Sequence, residues 1–193
     1  MTALAFDAAF ASQAAFRAAM DCIARPGETR TLDGVMAPAP LAPATAALVK
    51  SLADYDSPVW LDAGFAAVPA IADWIRFQTG APLATKPREA AFALIADARA
   101  MPDFTSFAQG SEEYPDRSTT LMIQIEGFTG PRFTLTGPGI QTTRSFSAKP
   151  LPDDFAARMA GNRELFPRGI DLILIAGHTI AALPRSVRIV EER

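Results

Sequence analysis

Histidine and cysteine are almost missing from this chain: His178 and Cys22 stand alone in 193 residues. A single cysteine cannot close an internal disulfide. Zinc sites draw three or four converging ligands mostly from these two residue types, and iron–sulfur clusters need several cysteines, so neither centre is expected. A histidine-based nucleophilic triad would have His178 as its only base, and no Gly-x-Ser-x-Gly elbow is present. Lysine is scarce too. Lys50, Lys86 and Lys149 are the full set, so Schiff-base chemistry would have to use one of them. There is no Walker loop. Thr136-Gly137-Pro138-Gly139-Ile140 holds Gly-x-Gly without a third glycine or a basic residue, and reads as a tight turn. Neither charge sign dominates, with 18 Lys and Arg against 21 Asp and Glu, so the basic excess of a nucleic-acid binder is lacking. No apolar run approaches the ~20 residues that span a bilayer. The opening Met-Thr-Ala-Leu-Ala-Phe-Asp has no basic flank, unlike a signal peptide. A cytoplasmic protein without membrane or nucleic-acid partners is the expectation.

What is abundant is apolar, at 49% of the residues, enough for a sizeable core in one domain over 1–193. Helical periodicity is read over 7–24, with Asp7 as cap and Phe10, Phe16, Met20 and Ile23 as the apolar side. It stops at Arg25-Pro26-Gly27. Further helices are expected over 44–53, 68–78 (ended by Gly80) and 152–163. Strand-like stretches are 29–32, 59–61, 92–96, 121–125, 132–136, 172–175, 180–183 and 186–190. The pairs 121–125/132–136 and 172–175/180–183 read as hairpins. Residues 101–109 read as a short helix or loop, and 112–117 as an exposed loop. Interspersed helices and strands place the chain in the α/β class, a mixed β-sheet with flanking helices.

Asp171 stands at the mouth of a strand that is apolar on both faces. A carboxylate there must be solvated, paired or used. Pro167 and Gly169 shape its approach. Asp54 and Asp56 precede Ser57-Pro58, where acids bond turn backbone; a carboxylate-only magnesium site with a nucleotide is the one metal option they leave, and none is expected. Arg76, Arg144 and Arg185 lie at the edges of elements. Arginine holds phosphate or phosphonate through a planar fork, whereas its ordinary role is a surface or carboxylate pair. Phe104, Phe107 and Phe128 read as core, with interface anchoring as the alternative.

Four segments, 52–61 (Leu-Ala-Asp-Tyr-Asp-Ser-Pro-Val-Trp-Leu), 76–83 (Arg-Phe-Gln-Thr-Gly-Ala-Pro-Leu), 166–175 (Phe-Pro-Arg-Gly-Ile-Asp-Leu-Ile-Leu-Ile) and 183–186 (Leu-Pro-Arg-Ser), together resemble the PhnH family of the bacterial carbon–phosphorus lyase system. The resemblance runs from Phe16 to about Ile189. It implies a fold like that of pyridoxal-phosphate-dependent transferases without the cofactor, so pyridoxal phosphate is expected absent. It implies a homodimer that joins PhnG, PhnI and PhnJ, and a non-radical subunit needed for phosphonate catabolism. That subunit would support formation of ribose 1-phosphonate 5-triphosphate from ATP and alkylphosphonate. PhnJ, not this chain, would carry the radical iron–sulfur chemistry. Candidate ligand residues are Asp54, Asp56, Arg76, Asp171, Arg185 and Ser186. Where a Thr-Thr pair follows Pro-Arg in the family, this chain reads Ser186-Val187, keeping one hydroxyl. Two alternatives stay open: residues lent to an active site shared with PhnI, and a free-standing phosphonate- or nucleotide-binding protein or enzyme.

Overall fold

Strands that are apolar on both faces have to lie between two covering layers. Four strands fit that pattern and run parallel: β2 (Val59–Leu61), β3 (Phe92–Ile95), β4 (Thr120–Gln124) and β7 (Asp171–Ala176). The computed structural model describes residues 3–191, with side chains from residue 9 onward. β7 turns back through Gly177-His178 into antiparallel β8 (Thr179–Leu183), and β1 (Thr29–Thr31) closes that edge. The six strands take the order β1-β8-β7-β4-β3-β2, a mixed sheet as the α/β reading requires.

Alternation along each central strand divides the core in two. Leu94, Met122, Ile173, Ile175, Ile180 and Ala182 point to one face. There they meet α1 (Ala3–Ala24), α2 (Pro43–Leu52), α3 (Ala63–Ala66) and α4 (Pro69–Thr79). Ala93, Ile95, Leu121, Ile123, Leu172, Leu174, Ala181 and Leu183 point to the other. That face is covered by a second sheet of β6 (Arg144–Lys149), β5 (Gly127–Thr136) and β9 (Arg188–Glu191), ordered β6-β5-β9, and by α5 (Phe155–Glu164). Phe133, Leu135, Phe146 and Ile189 fill the space between the sheets. The edge-to-face pairs Phe133–Phe155 and Phe104–Phe155 anchor α5 there. Phe104 and Phe107 are buried, and Phe128 packs on the same core, as the core reading expects.

Local signals placed most boundaries. α1 stops at Ala24 before Pro26. α4 ends where Gly80 adopts φ 72° and caps Arg76 O at 2.9 Å, the usual glycine stop. Gly139 sits at φ 81°, and a Cβ there would lie 2.1 Å from Ala24 O. Residues 136–140 are therefore a turn that only glycine completes.

Four expectations are overturned. Residues 121–125 and 132–136 form no hairpin: β4 pairs in parallel with β3 and β7 in the larger sheet, and β5 pairs with β6 and β9 in the smaller. Proximity in sequence suggested pairing, but β4 is apolar on both faces and belongs in the buried sheet. β6 is a strand where none was expected; its serines and terminal charges mask the inward Phe146 and Ala148. Of the four residues expected on the apolar side of α1, Ile23 packs against the core and the other three do not. Ala15, Ala19 and Cys22 face inward, while Phe10, Phe16 and Met20 are 60%, 48% and 39% exposed. α1 lies close over β8 and α2, with Cys22 Sγ 3.8 Å from Ile180 O. Only small side chains fit that approach in a close-packed interior. The helix also begins at Ala3, so position 7 lies inside it rather than at its cap.

Candidate functional site

The tightest polar constellation gathers at the amino-terminal edge of the parallel strands. Register places Asp171 beside Thr120 at the start of β7, and the β7–β8 hairpin returns the chain to Arg185 directly above it. The Asp171 carboxylate accepts from Arg185 N at 2.8 Å, from Arg185 Nε at 3.2 Å and, through its other oxygen, from Arg185 Nη2 at 2.5 Å. The guanidinium continues outward to Pro115 O at 2.7 Å, Pro167 O at 3.4 Å and Ser118 Oγ at 2.5 Å. A guanidinium has five N–H donors. All five face acceptors of the chain itself, so Arg185 is a clasp joining the 115–118 loop, the 166–171 approach and the end of β8. Gly169 brings that approach close: at φ 117°, a Cβ would come within 2.7 Å of Asn162 Oδ1.

The other candidates do not converge on this clasp. Asp54 Oδ1 accepts from Asp56 N at 3.0 Å and Ser57 Oγ at 2.8 Å, the self-bonded turn that Asp favours. Both acids precede β2, which lies three strand spacings from β7. That is a distance of roughly 14 Å. Arg76 is exposed on α4 and pairs with Asp73 at 3.5 Å. Ser186 lies in the turn after β8, its carbonyl against Gly137. Val187 is fully buried between the sheets, which accounts for an apolar residue where a second hydroxyl was expected. Arg144 reaches Pro26 O at 2.8 Å and Glu28 Oε1 at 2.9 Å, tying β6 to the turn after α1. Glu28 also receives Arg30 Nη2 at 2.9 Å. That bond first, and the charge of Arg144 after it, hold the Glu28 carboxyl below its ordinary range. Among the described residues no group of three or more His, Cys, Asp or Glu gathers as metal ligands would.

Open α/β sheets bind ligands beyond the carboxyl ends of their strands, where successive connections part to opposite faces. Here that point lies between β2 and β3. The connection after β2 turns to the helical layer, carrying Phe65, Ile71 and Ile75 into its core. The connection after β3 turns to the other layer, carrying Phe104 and Phe107. The crevice is filled by Asp62, only 8% exposed, whose carboxylate accepts from Phe65 N at 3.0 Å, Ala96 N at 2.7 Å and Asp97 N at 3.4 Å. The chain thus supplies its own anion to a cradle of backbone amides. Asp62 escaped the sequence reading, although an acid directly after a strand and two residues before a glycine was its signal. Asn162 escaped it as well. Buried in α5, it bonds both backbone groups of Ile170, at 2.9 and 2.8 Å, and holds the approach to Asp171.

The chain is similar to the α-D-ribose 1-methylphosphonate 5-triphosphate synthase subunit PhnH of Rhizobium meliloti, with 42% identity over 188 residues that cover 96% of this chain and 94% of the relative. It is 34% identical over 102 residues to a putative C-P lyase subunit protein, HtxG, of Stutzerimonas stutzeri, covering 52% of each. The family model for the bacterial phosphonate metabolism protein PhnH matches residues 5–190, and the chain therefore belongs to the PhnH family.

Proposed function

We propose that this chain is a non-radical subunit of a carbon–phosphorus lyase core complex in the cytoplasm. In that role it supports formation of ribose 1-phosphonate 5-triphosphate from ATP and an alkylphosphonate. The observation that carries this reading is the near full-length similarity to a synthase subunit. The disposition of side chains supports it. Arg185, the arginine of the Leu-Pro-Arg-Ser segment, is committed to Asp171 and to backbone, whereas large apolar residues stand outside. Phe77 is 86% exposed and Tyr55 75%, both within the segments that carry the family resemblance. Aromatics are enriched in the cores of interfaces, and these two suit contact with PhnG, PhnI or PhnJ.

The outer stripe of α1 suits a homodimer. If two copies of α1 pack antiparallel about a two-fold axis near residue 15, Phe10 of one copy faces Met20 of the other, and Gln13 faces Arg17, a self-complementary pattern. On this reading the chain needs no pyridoxal phosphate, and its sheet is a cofactor-free relative of the pyridoxal-phosphate-dependent transferase fold.

The test is co-purification of the tagged chain expressed with PhnG, PhnI and PhnJ, followed by solution mass. The reading expects a complex larger than a dimer, lost in Phe77→Asp. It also expects Arg76→Glu to leave pathway activity in the intact complex. A homodimer that never captures a partner would refute the subunit role. Loss of activity in an intact Arg76→Glu complex would favour a shared active site instead.

A further inference from the structure

Between the last turn of α5 and edge strand β9 lies a cavity of about 380 Å³ lined by Ala160, Arg163, Glu164, Arg188, Ile189 and Val190. Arg163 Nε is a buried side-chain donor with no hydrogen-bond partner, the single such atom among the described residues. Its guanidinium makes no ion pair with the described residues and lies 5.0 Å from the half-exposed ring of Phe166. The Arg188 side chain likewise makes no hydrogen bond or ion pair with the described residues. A buried donor left unmet is costly, and such groups in native structures call for an acceptor that the fold itself does not provide.

The ordinary roles of these arginines do not account for the arrangement. A cation in the last turn of a helix can answer the helix dipole. Here the terminal carbonyls already have donors: Asn162 O receives Leu165 N and Arg163 O receives Phe166 N. A charge on an edge strand deters pairing with other chains, but that role does not require a second arginine in the same concavity. Two unpaired guanidiniums against one acid, Glu164, leave the cavity net positive. Planar forks of this kind suit a tetrahedral oxyanion that can accept two bonds from each.

We propose that this cavity is an anion site for a phosphoryl or phosphonyl group, held by Arg163 and Arg188, with Phe166 flanking the guanidinium. The oxyanion class follows from the arginines; the choice of phosphorus oxyanions rests on the function proposed above. The site lies on α5 and β9 and is lined by neither Arg76 nor the Asp171–Arg185 clasp.

The experiment is titration calorimetry on the purified full chain with inorganic phosphate, methylphosphonate and ATP as separate probes. Arg163→Gln, Arg188→Gln and the exposed control Arg88→Gln are measured alongside. Saturable binding of at least one probe is expected, weakened about tenfold or more by each of the first two changes and unaltered by Arg88→Gln. Phosphate and methylphosphonate distinguish a phosphoryl from a phosphonyl preference. Thermal melts without ligand are expected to stay close to the wild-type value in Arg163→Gln, because no hydrogen bond or ion pair is removed and only the contact with the exposed Phe166 ring is lost. No binding by the wild-type chain, equal weakening by Arg88→Gln, or an acidic peptide that competes more tightly than every probe would overturn the assignment. Partner capture is scored separately. Binding without a complex sinks the subunit reading alone, and a complex without binding sinks this site alone.

Discussion

Replacing Arg185 by alanine tests whether the clasp is structural. The pair is largely shielded, with 13% of the Arg185 side chain and 20% of the Asp171 side chain exposed. Removing the guanidinium strips Asp171 of two side-chain donors and leaves Pro115 O, Pro167 O and Ser118 Oγ without theirs. Breaking one side of a shielded ion pair costs about 3–5 kcal/mol, since the remaining charge is left uncompensated. For a chain of this length each kcal/mol lowers Tm by ~2–4 °C, so a fall of roughly 6–20 °C is expected. The assay is urea unfolding followed by the fluorescence of Trp60 and Trp74, with the dependence on urea concentration unchanged. Arg185→Lys should recover little, because an ammonium cannot span Asp171, Ser118 and two carbonyls at once. In the double variant with Asp171→Ala the losses should fall short of additive by about 1–3 kcal/mol. A loss below about 1 kcal/mol for Arg185→Ala, or strict additivity, would refute the clasp and return Arg185 to the solvent-facing candidates.

Asn162→Ala leaves the N–H and C=O of Ile170 unmet in a buried setting. A loss of about 2–4 kcal/mol in the same urea assay is expected. A midpoint equal to wild type would show that solvent replaces the amide. Burial pushes the Cys22 thiol up to about 11 from 9.0. The folded state therefore keeps this proton at pH values where the unfolded state has lost it. The resulting stability is full below pH 9 and falls between 9 and 11, by about 1.4 kcal/mol per pH unit. Cys22→Ala should remove that part of the alkaline slope, and identical wild-type and variant slopes would contradict the assigned burial. In native protein at pH 8, Cys22 should resist a thiol reagent and react only on unfolding.

Much of the fold was legible because its signals are local. Pro26, Gly80 and Gly177 mark where α1 and α4 end and where β7 turns into β8, and the double-faced apolar runs of β3 and β7 announce a covered sheet. The family resemblance was legible in four short segments whose order spans the chain. What each candidate residue does was not legible in the same way. Asp171 and Arg185 read as two possible ligands, yet the hairpin between them folds one onto the other. Of the acids only Asp54 was legible, since it bonds its own turn as an acid before Ser57-Pro58 is expected to. Arg163 and Arg188 drew no notice, since nothing in sequence brings a helix end to a strand so much later in the chain.

The α/β class, the scarcity of metal-ligating side chains and membership of the PhnH family follow from the residues alone, because composition, periodicity and motif order depend on no long-range contact. Folding settled which face of α1 is buried, which sheet β4 and β5 each join, and which arginines are spent on the chain itself. Those outcomes depend on how closely a helix can approach a sheet and on which acceptors lie within about 3 Å of a guanidinium. Only the folded chain sets such distances.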